Sequence, residues 1–282
     1  MIQKYIEGAG FSLICKIFSS LSLERASSFG GWLGKTFGPL FPLSRTAYHN
    51  LTTVFPRLTA EEKTTIISTM WQEWGEVAGE YCHLPRFLND SSLYTVSGLE
   101  VIEQLKTDGK PALLFTGHLS NFQLAAVVAL THGLPLVQFY RRAKNPFVDR
   151  GMLFFQHQVT RQVIAKGPSG MKDLLRALQK GEHILMMVDQ KFHQGLMIPF
   201  LGHLAATASS IATLSKRFEC PLVPVRVERT HPLHFQITFF PPLDTIPDEA
   251  EIMTHINTLL GQWIKDRPEQ WFWIHKRWPF SG

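Results

Sequence analysis

The chain has 282 residues, 45% of them hydrophobic and 12% aromatic, with a formal net charge of +5. That size and apolar content fit one large α/β domain with a substantial core better than two small domains. The three cysteines, Cys15, Cys82 and Cys220, are too few and too widely spaced for a disulfide framework or a zinc site, and they suit a reducing compartment. The basic balance could serve anionic lipids, phosphorylated substrates, an acidic protein or nucleic acid, and charge alone does not choose among them.

The N-terminus carries apolar stretches at residues 9–23 and 29–43, but Lys16, Glu24, Arg25 and Lys35 interrupt them. A spanning helix needs about 18 or more uninterrupted apolar residues, so neither stretch is expected to cross a bilayer. No small-residue cleavage site is evident, and a cleaved secretory signal is not expected. Phe11, Leu13, Ile14, Ile17, Phe18 and Leu21 can share one helix face, with Trp32, Phe37 and Phe41 following. Two readings fit: packing on the core, or an interfacial anchor lying on a membrane surface, which the mix of aromatic and basic residues favours. We therefore divide the chain into an N-terminal membrane-associating helical segment, 1–45, and a domain spanning 46–282.

Thr59 with Glu62 three residues on predicts a capped amphipathic helix over 60–81, carrying Ile66, Ile67, Met70, Trp74 and Val77 on one side. After Pro85 apolar runs alternate with helical stretches. Strands are expected at 112–115, 135–139, 184–188, 222–227 and 235–240, and helices at 119–131, 146–162, 171–179, 209–218 and 249–265. The fold class is α/β: a single domain with a mixed, largely parallel sheet flanked by helices, plus the N-terminal helical segment.

Gly117-His118-Leu119-Ser120-Asn121-Phe122-Gln123 places a histidine at the mouth of the strand ending near Phe115, where a helix is expected to start. In open α/β sheets the ligand crevice lies beyond the carboxyl ends of the strands, and a helix start there offers free N–H groups to negative charge. Many such histidines merely satisfy a backbone carbonyl. Ser120 lacks the Gly-x-Ser-x-Gly elbow of a nucleophile and reads as a first-turn helix residue. The run Tyr140-Arg141-Arg142-Ala143-Lys144-Asn145-Pro146 follows the next strand and brings cations to the same edge, either to bind an anion or as a solvated turn. Asp189 and Gln190 end the strand at 184–188; a carboxylate there can orient a histidine, bind a hydroxyl or cap a loop. His193 and His203 match no usual zinc spacing, and no metal is expected. The small apolar stretch at 198–208, before a helix, suits close approach by an acyl chain or tight helix–sheet packing, and composition favours packing. Trp271-Phe272-Trp273-Ile274-His275-Lys276-Arg277-Trp278 can stack on nucleic acid, sit at a bilayer interface or pack through cation–π pairs. No nucleic-acid module accompanies it, and no nucleic-acid partner is expected.

The helix near Trp71, the His118 to Gln123 segment, Tyr140-Arg141 with Asn145-Pro146, Asp189-Gln190, Pro199-Phe200 with Gly202 and Ala205-Ala206-Thr207, Val223-Pro224-Val225, and Pro268-Glu269-Gln270-Trp271 through Arg277-Trp278 occur in one order over most of the chain. In that order and spacing the sequence resembles the late acyltransferases of lipid A biosynthesis, the lauroyl/myristoyl transferase family within the lysophospholipid acyltransferase group. The resemblance implies transfer of a fatty acyl group from acyl carrier protein to a hydroxyl of a lipid A precursor, at the cytoplasmic face of the inner membrane. It implies no cofactor, gives His118 the general-base role and gives Arg141 and Asp189 supporting roles. Asn121, Arg142, Lys144 and Gln190 are the candidate substrate contacts.

The sequence departs from the family pattern at Gln123, where relatives place an acid. Gln123 can accept the Nδ1 proton of the histidine through its carbonyl, or donate to it if flipped, so it stays among the catalytic candidates as an orienting residue. Asp189 could instead approach from the neighbouring strand and supply the charge. Two alternatives stand beside lipid A acylation: another acceptor, such as a different glycolipid or a lysophospholipid, and a lipid-binding pseudoenzyme impaired at Gln123.

Overall fold

The computed structural model describes residues 2–244 and 248–278, apart from the side chains of Ile2 and His193. The strands in chain order are β1 (Tyr94–Ser97), β2 (Leu113–Thr116), β3 (Leu136–Tyr140), β4 (Gln162–Ala165), β5 (His183–Met187), β6 (Lys191–Phe200), β7 (His203–Thr207), β8 (Leu222–His231) and β9 (His234–Phe239). Seven of them form one sheet in the order β1-β9-β8-β2-β5-β3-β4, parallel throughout except for the β8–β9 hairpin. β6 and β7 form a separate antiparallel pair.

The central strands β2 and β3 are buried at every position because both faces of the sheet are covered, and they are apolar except for Thr116 and Gln138. Leu113, Phe115, Ile184 and Met186 point to one layer, built from α3 (Leu43–Val54), α4 (Ala60–Tyr81), α9 (Pro168–Gln179), α10 (Ser210–Phe218), α11 (Glu249–Asp266) and the C-terminal tryptophans. Leu114 and Leu185 alternate to the other, under α5 (Leu84–Asn89), α6 (Leu99–Thr107) and α7 (Leu124–Thr131). α4 starts at the expected cap, with Thr59 and Glu62 exchanging both bonds of a capping box.

Two expected helices need correction. The helix expected at 119–131 begins only at Leu124, and Ser120 lies outside it with φ +46°. Its N–H donates to Gln270 O, and Phe272 N–H donates to His118 O, so the C-terminal segment holds this stretch as a bridge and takes it out of the helix. The helix at 146–162 stops at Gln156 as α8 (Pro146–Gln156), and Gln162 opens β4. The stretch at 198–208 packs as expected ahead of α10, with Ile198, Phe200 and Ala205 buried, and it does so as the β6–β7 hairpin, turned at Leu201 and Gly202, both with positive φ. β1 and α6 were not anticipated at all.

α1 (Ile2–Ser20) and α2 (Leu23–Phe37) complete the fold. The proposed apolar face of α1 is divided: Leu13, Ile14 and Ile17 are exposed, while Phe18 is buried and Phe11 packs on Gly151 of α8. Asn145 fastens α1 at the other end, donating to Lys4 O at 2.8 Å and to Glu7 Oε2 at 3.0 Å. Tyr5, Ile6, Phe29, Trp32, Phe37, Leu40, Phe41 and Leu43 add to the exposed apolar surface. Among the described residues no helix is long and apolar enough to cross a membrane.

α2 meets α4 backbone to backbone. A Cβ at Gly30 would run into the carbonyl oxygen of Gly75, a Cβ at Gly75 into that of Gly30, and Gly34 and Gly79 meet Trp71 O and Ala26 O in the same way. A methyl group has no room there and the blocking atoms are main chain, which cannot rotate away. Gly75→Ala is therefore expected to lower stability by about 1–3 kcal/mol. Gly10→Ala, in open space on α1, should raise it by ~0.5–1 kcal/mol through helix propensity. Denaturant unfolding of the detergent-solubilised protein compares the two; equal stability of Gly75→Ala and the parent would contradict the close-contact account.

Candidate active site

β2, β5 and β3 are neighbours, and the chain leaves each at the same edge of the sheet. That shared edge brings together His118 after β2, Asp189 and Gln190 after β5, and Arg141 after β3. The Asp189 carboxylate is fully buried. Its Oδ1 accepts from His118 Nδ1 at 2.7 Å, and its Oδ2 accepts from the His118 backbone N–H at 2.7 Å and from Trp271 Nε1 at 2.8 Å. Burial alone would raise this carboxyl; the charge His118 can carry, its ring and backbone hydrogen bonds and the Trp271 N–H together hold it well below the usual carboxylate range. An ionised Asp189 fixes the imidazole with its proton on Nδ1 and leaves Nε2 as a lone pair facing outward. Gln190 Nε2 lies 3.2 Å from that nitrogen and donates to it.

His118 opens onto a narrow cleft of about 120 Å³, also lined by Phe122, Gln123, Arg141, Lys166 and Gln190. At ~30 Å³ per water this admits reacting groups but not a folded hydrocarbon chain. Lys166 has an exposed side chain beside the cleft, and its ammonium pKa is lowered by partial desolvation and by the neighbouring Arg141 charge. Among the described residues no group of three or more His, Cys, Asp or Glu could hold a metal ion. A larger apolar groove, about 860 Å³, opens between α1 and α8 and contains none of the cleft's polar groups.

Gln123 is buried and accepts from Gln138 Nε2 of β3 at 2.8 Å. It lines the cleft, but the ring nitrogen it was expected to orient is bonded to Asp189 instead. Arg141 faces the cleft with an exposed side chain, while Arg142 and Lys144 are exposed on the turn beyond it. Asn121 is wholly buried and donates to Glu80 Oε2 at 3.0 Å, away from the cleft lining. The Ser120 N–H, one of the free N–H groups expected near an oxyanion, is taken by Gln270.

The aromatic run resolves to packing. Trp271, Trp273 and Trp278 are buried, and Arg277 lies 4.7 Å from the Phe200 ring centre while donating to Ala206 O and Thr207 Oγ1. Trp271, Lys166 and His275 are not singled out as site residues by the sequence: from segments distant along the chain Trp271 reaches the Asp189 carboxylate, Lys166 the cleft and His275 the Gln190 amide.

Beneath Asn121, buried Arg229 of β8 meets three carboxylates on successive turns of α4: Glu73 at 2.8 Å, Glu76 at 3.2 Å and Glu80 at 2.8 Å. Burial, partly opposed by Arg229, pushes the Glu73 carboxyl up to about 7. A carboxyl raised in the folded state holds its proton more tightly there than in the unfolded chain. Its contribution therefore favours folding at low pH and is lost as pH rises from about 4 through 7. Thermal unfolding across that range should show a declining stability component that Glu73→Gln flattens; an unchanged slope would contradict it.

Over residues 3–279 the chain matches the family model described as bacterial lipid A biosynthesis acyltransferase. It is 27% identical over 254 residues to a lipid A biosynthesis acyltransferase of Haemophilus influenzae, covering 86% of this chain and 78% of that one. It is 24% identical over 277 residues to the lipid A biosynthesis myristoyltransferase of Escherichia coli, covering 95% and 83%. The lipid A biosynthesis palmitoleoyltransferase of the same organism is 23% identical over 240 residues, covering 82% and 77%.

Proposed function

Since the chain belongs to the bacterial lipid A biosynthesis acyltransferases and is an acyltransferase, we propose that it transfers a fatty acyl group from acyl carrier protein to a hydroxyl of a lipid A precursor. The observation that carries the chemistry is the Asp189–His118 pair, with Nδ1 protonated toward the carboxylate and Nε2 facing the cleft. His118 Nε2 takes the hydroxyl proton as the oxygen attacks the thioester carbonyl. The C–O bond forms, Arg141 meets the oxyanion, and collapse breaks the C–S bond. The departing thiolate then takes the proton from Nε2, with no acyl-enzyme. A positioned base supplies about 10²–10⁴-fold, and alignment of the two substrates and oxyanion stabilisation supply the rest.

Asp189 fills the orienting role in this reading. Gln123 supports the cleft wall through Gln138, so its amide is compatible with turnover. Arg142, Lys144 and Gln190 line or flank the acceptor's approach and suit a phosphorylated glycolipid, while Asn121 serves from below through Glu80.

The exposed apolar side chains of α1, α2 and the turn after them suit attachment to the membrane surface, with the 1–45 segment as the anchor. The inner membrane's cytoplasmic face is where an acyl carrier protein thioester and a membrane-held acceptor meet.

The test is the purified protein in detergent, acyl carrier protein charged with a range of chains, and either tetra-acylated lipid A precursor or lysophospholipid, read by product mass. Product from the lipid A precursor is expected; product from lysophospholipid alone overturns the acceptor. His118→Ala should lose about 10²-fold or more. In Asp189→Asn the amide oxygen must stay on the two N–H donors at Oδ2, which turns the NH₂ toward Nδ1 and imposes the wrong tautomer; a loss of roughly 10²–10⁴-fold is expected. Gln123→Glu should give no gain, and a severalfold gain would return the orienting role to position 123.

Membrane attachment is tested separately by co-sedimentation with vesicles containing anionic phospholipid. The double variant Trp32→Ala/Leu40→Ala should lose most vesicle binding while keeping activity in detergent, and undiminished binding would count against this face.

A further inference from the structure

Gln190 stands between two histidines. Its side-chain nitrogen lies 3.2 Å from His118 Nε2 and, at a longer 3.5 Å, from Nε2 of His275, a residue with no role in the reaction as proposed above. An amide nitrogen carries two N–H groups, one for each ring, whereas an amide oxygen in its place would need an N–H from both. His118 already gives its Nδ1 proton to Asp189. A second proton on Nε2 would make it an imidazolium, so the neutral base admits only the nitrogen.

His275 is firmly held. Its backbone oxygen accepts from Asn50 Nδ2 and from the Arg277 N–H, both at 2.7 Å. Its ring packs edge-on to Phe272 at 5.5 Å and against the His118 ring at 5.6 Å. The ionisable groups facing it are His118, Asp189, Arg141 and Arg277. Burial, then the charge of His118, push it down to about 4, so at neutral pH it is uncharged, and in the tautomer with the proton on Nδ1 its Nε2 accepts.

We propose that His275 is a positioning residue: through Gln190 it keeps His118 Nε2 unprotonated, and it holds the Gln190 amide aside when the acceptor hydroxyl takes its place. Without this second acceptor the amide is free to turn. Its oxygen then meets Nε2 and stabilises the protonated ring, which cannot act as a base. The inference rests on His118 being the base of the transfer reaction.

The experiment is the pH dependence of kcat/KM for the full-length protein in detergent, with charged acyl carrier protein and lipid A precursor, for the parent, His275→Leu, His275→Gln and His118→Ala. His275→Leu should move the acid limb up by about one pH unit, a tenfold loss of unprotonated base below it. His275→Gln places an amide oxygen near the missing nitrogen and should restore the parent profile, which a charge effect of His275 would not allow. A His275→Leu profile that superimposes on the parent, or equal shifts in both variants, overturns the inference. Full activity in His118→Ala would instead overturn the general-base reading itself. Should His275→Leu fail to fold, ¹⁵N histidine spectra of the parent protein decide. Lone pairs on Nε2 of both rings at neutral pH are expected, and a protonated His275 Nε2 overturns the proposal.

Discussion

A carboxylate removed from water must find partners for its charge or give it up, and Asp189 sits at full burial. It is satisfied by three N–H groups from two segments far apart in sequence: the backbone and ring of His118, and the indole of Trp271. Each bond has a different structural result. The backbone bond fixes how the chain leaves β2, the ring bond fixes the imidazole, and the indole bond draws the C-terminal segment over the sheet edge. Once Trp271 is there, the chain on either side of it bridges to His118 and Ser120 and holds Ser120 at positive φ. The shape of the cleft mouth thus follows from neutralising one buried charge.

The same reasoning accounts for Gln123. The Gln123 amide oxygen accepts from Gln138 without placing a further charge in the cleft wall. Negative charge is instead concentrated lower down, where Glu73, Glu76 and Glu80 surround Arg229. Three acids about one guanidinium leave the cluster short of positive charge, which is why burial raises Glu73. Glu80 also accepts from Ser27 of α2 and from Asn121, so the cluster joins the N-terminal helices to the floor of the site.

What the sequence made legible was local. The Thr59–Glu62 capping box and the long apolar periodicities of α4 and α11 announce themselves within a few turns, and the apolar runs of β2 and β5, with that of β3 interrupted only at Gln138, mark strands covered on both faces. The edge holding His118, Arg141 and Asp189 was equally readable, because it needs only the rule that parallel strands end together. The errors share a cause. Residues 119–123 have a helix-like composition, and what keeps them out of α7 is a bridge to Trp271, which no local pattern encodes. The small residues at 198–208 announce packing but not the β6–β7 hairpin, whose turn puts Leu201 and Gly202 at positive φ. β4 is a four-residue strand lying beyond the end of α8, too short to show a period. His275 lay within an aromatic run whose composition pointed equally to surface, membrane and core, and only the fold turns it toward Gln190.

The glycine seam between α2 and α4 carries a consequence for how such a chain can change over generations. Most core contacts tolerate substitution because a neighbour can shrink as another grows. Gly30 and Gly75 have no such partner: each would collide with the other's main chain, and a glycine cannot be made smaller. No second-site change of side chain relieves either collision. The two positions are confined to one residue type each, and Gly34 and Gly79 extend the same confinement along the seam.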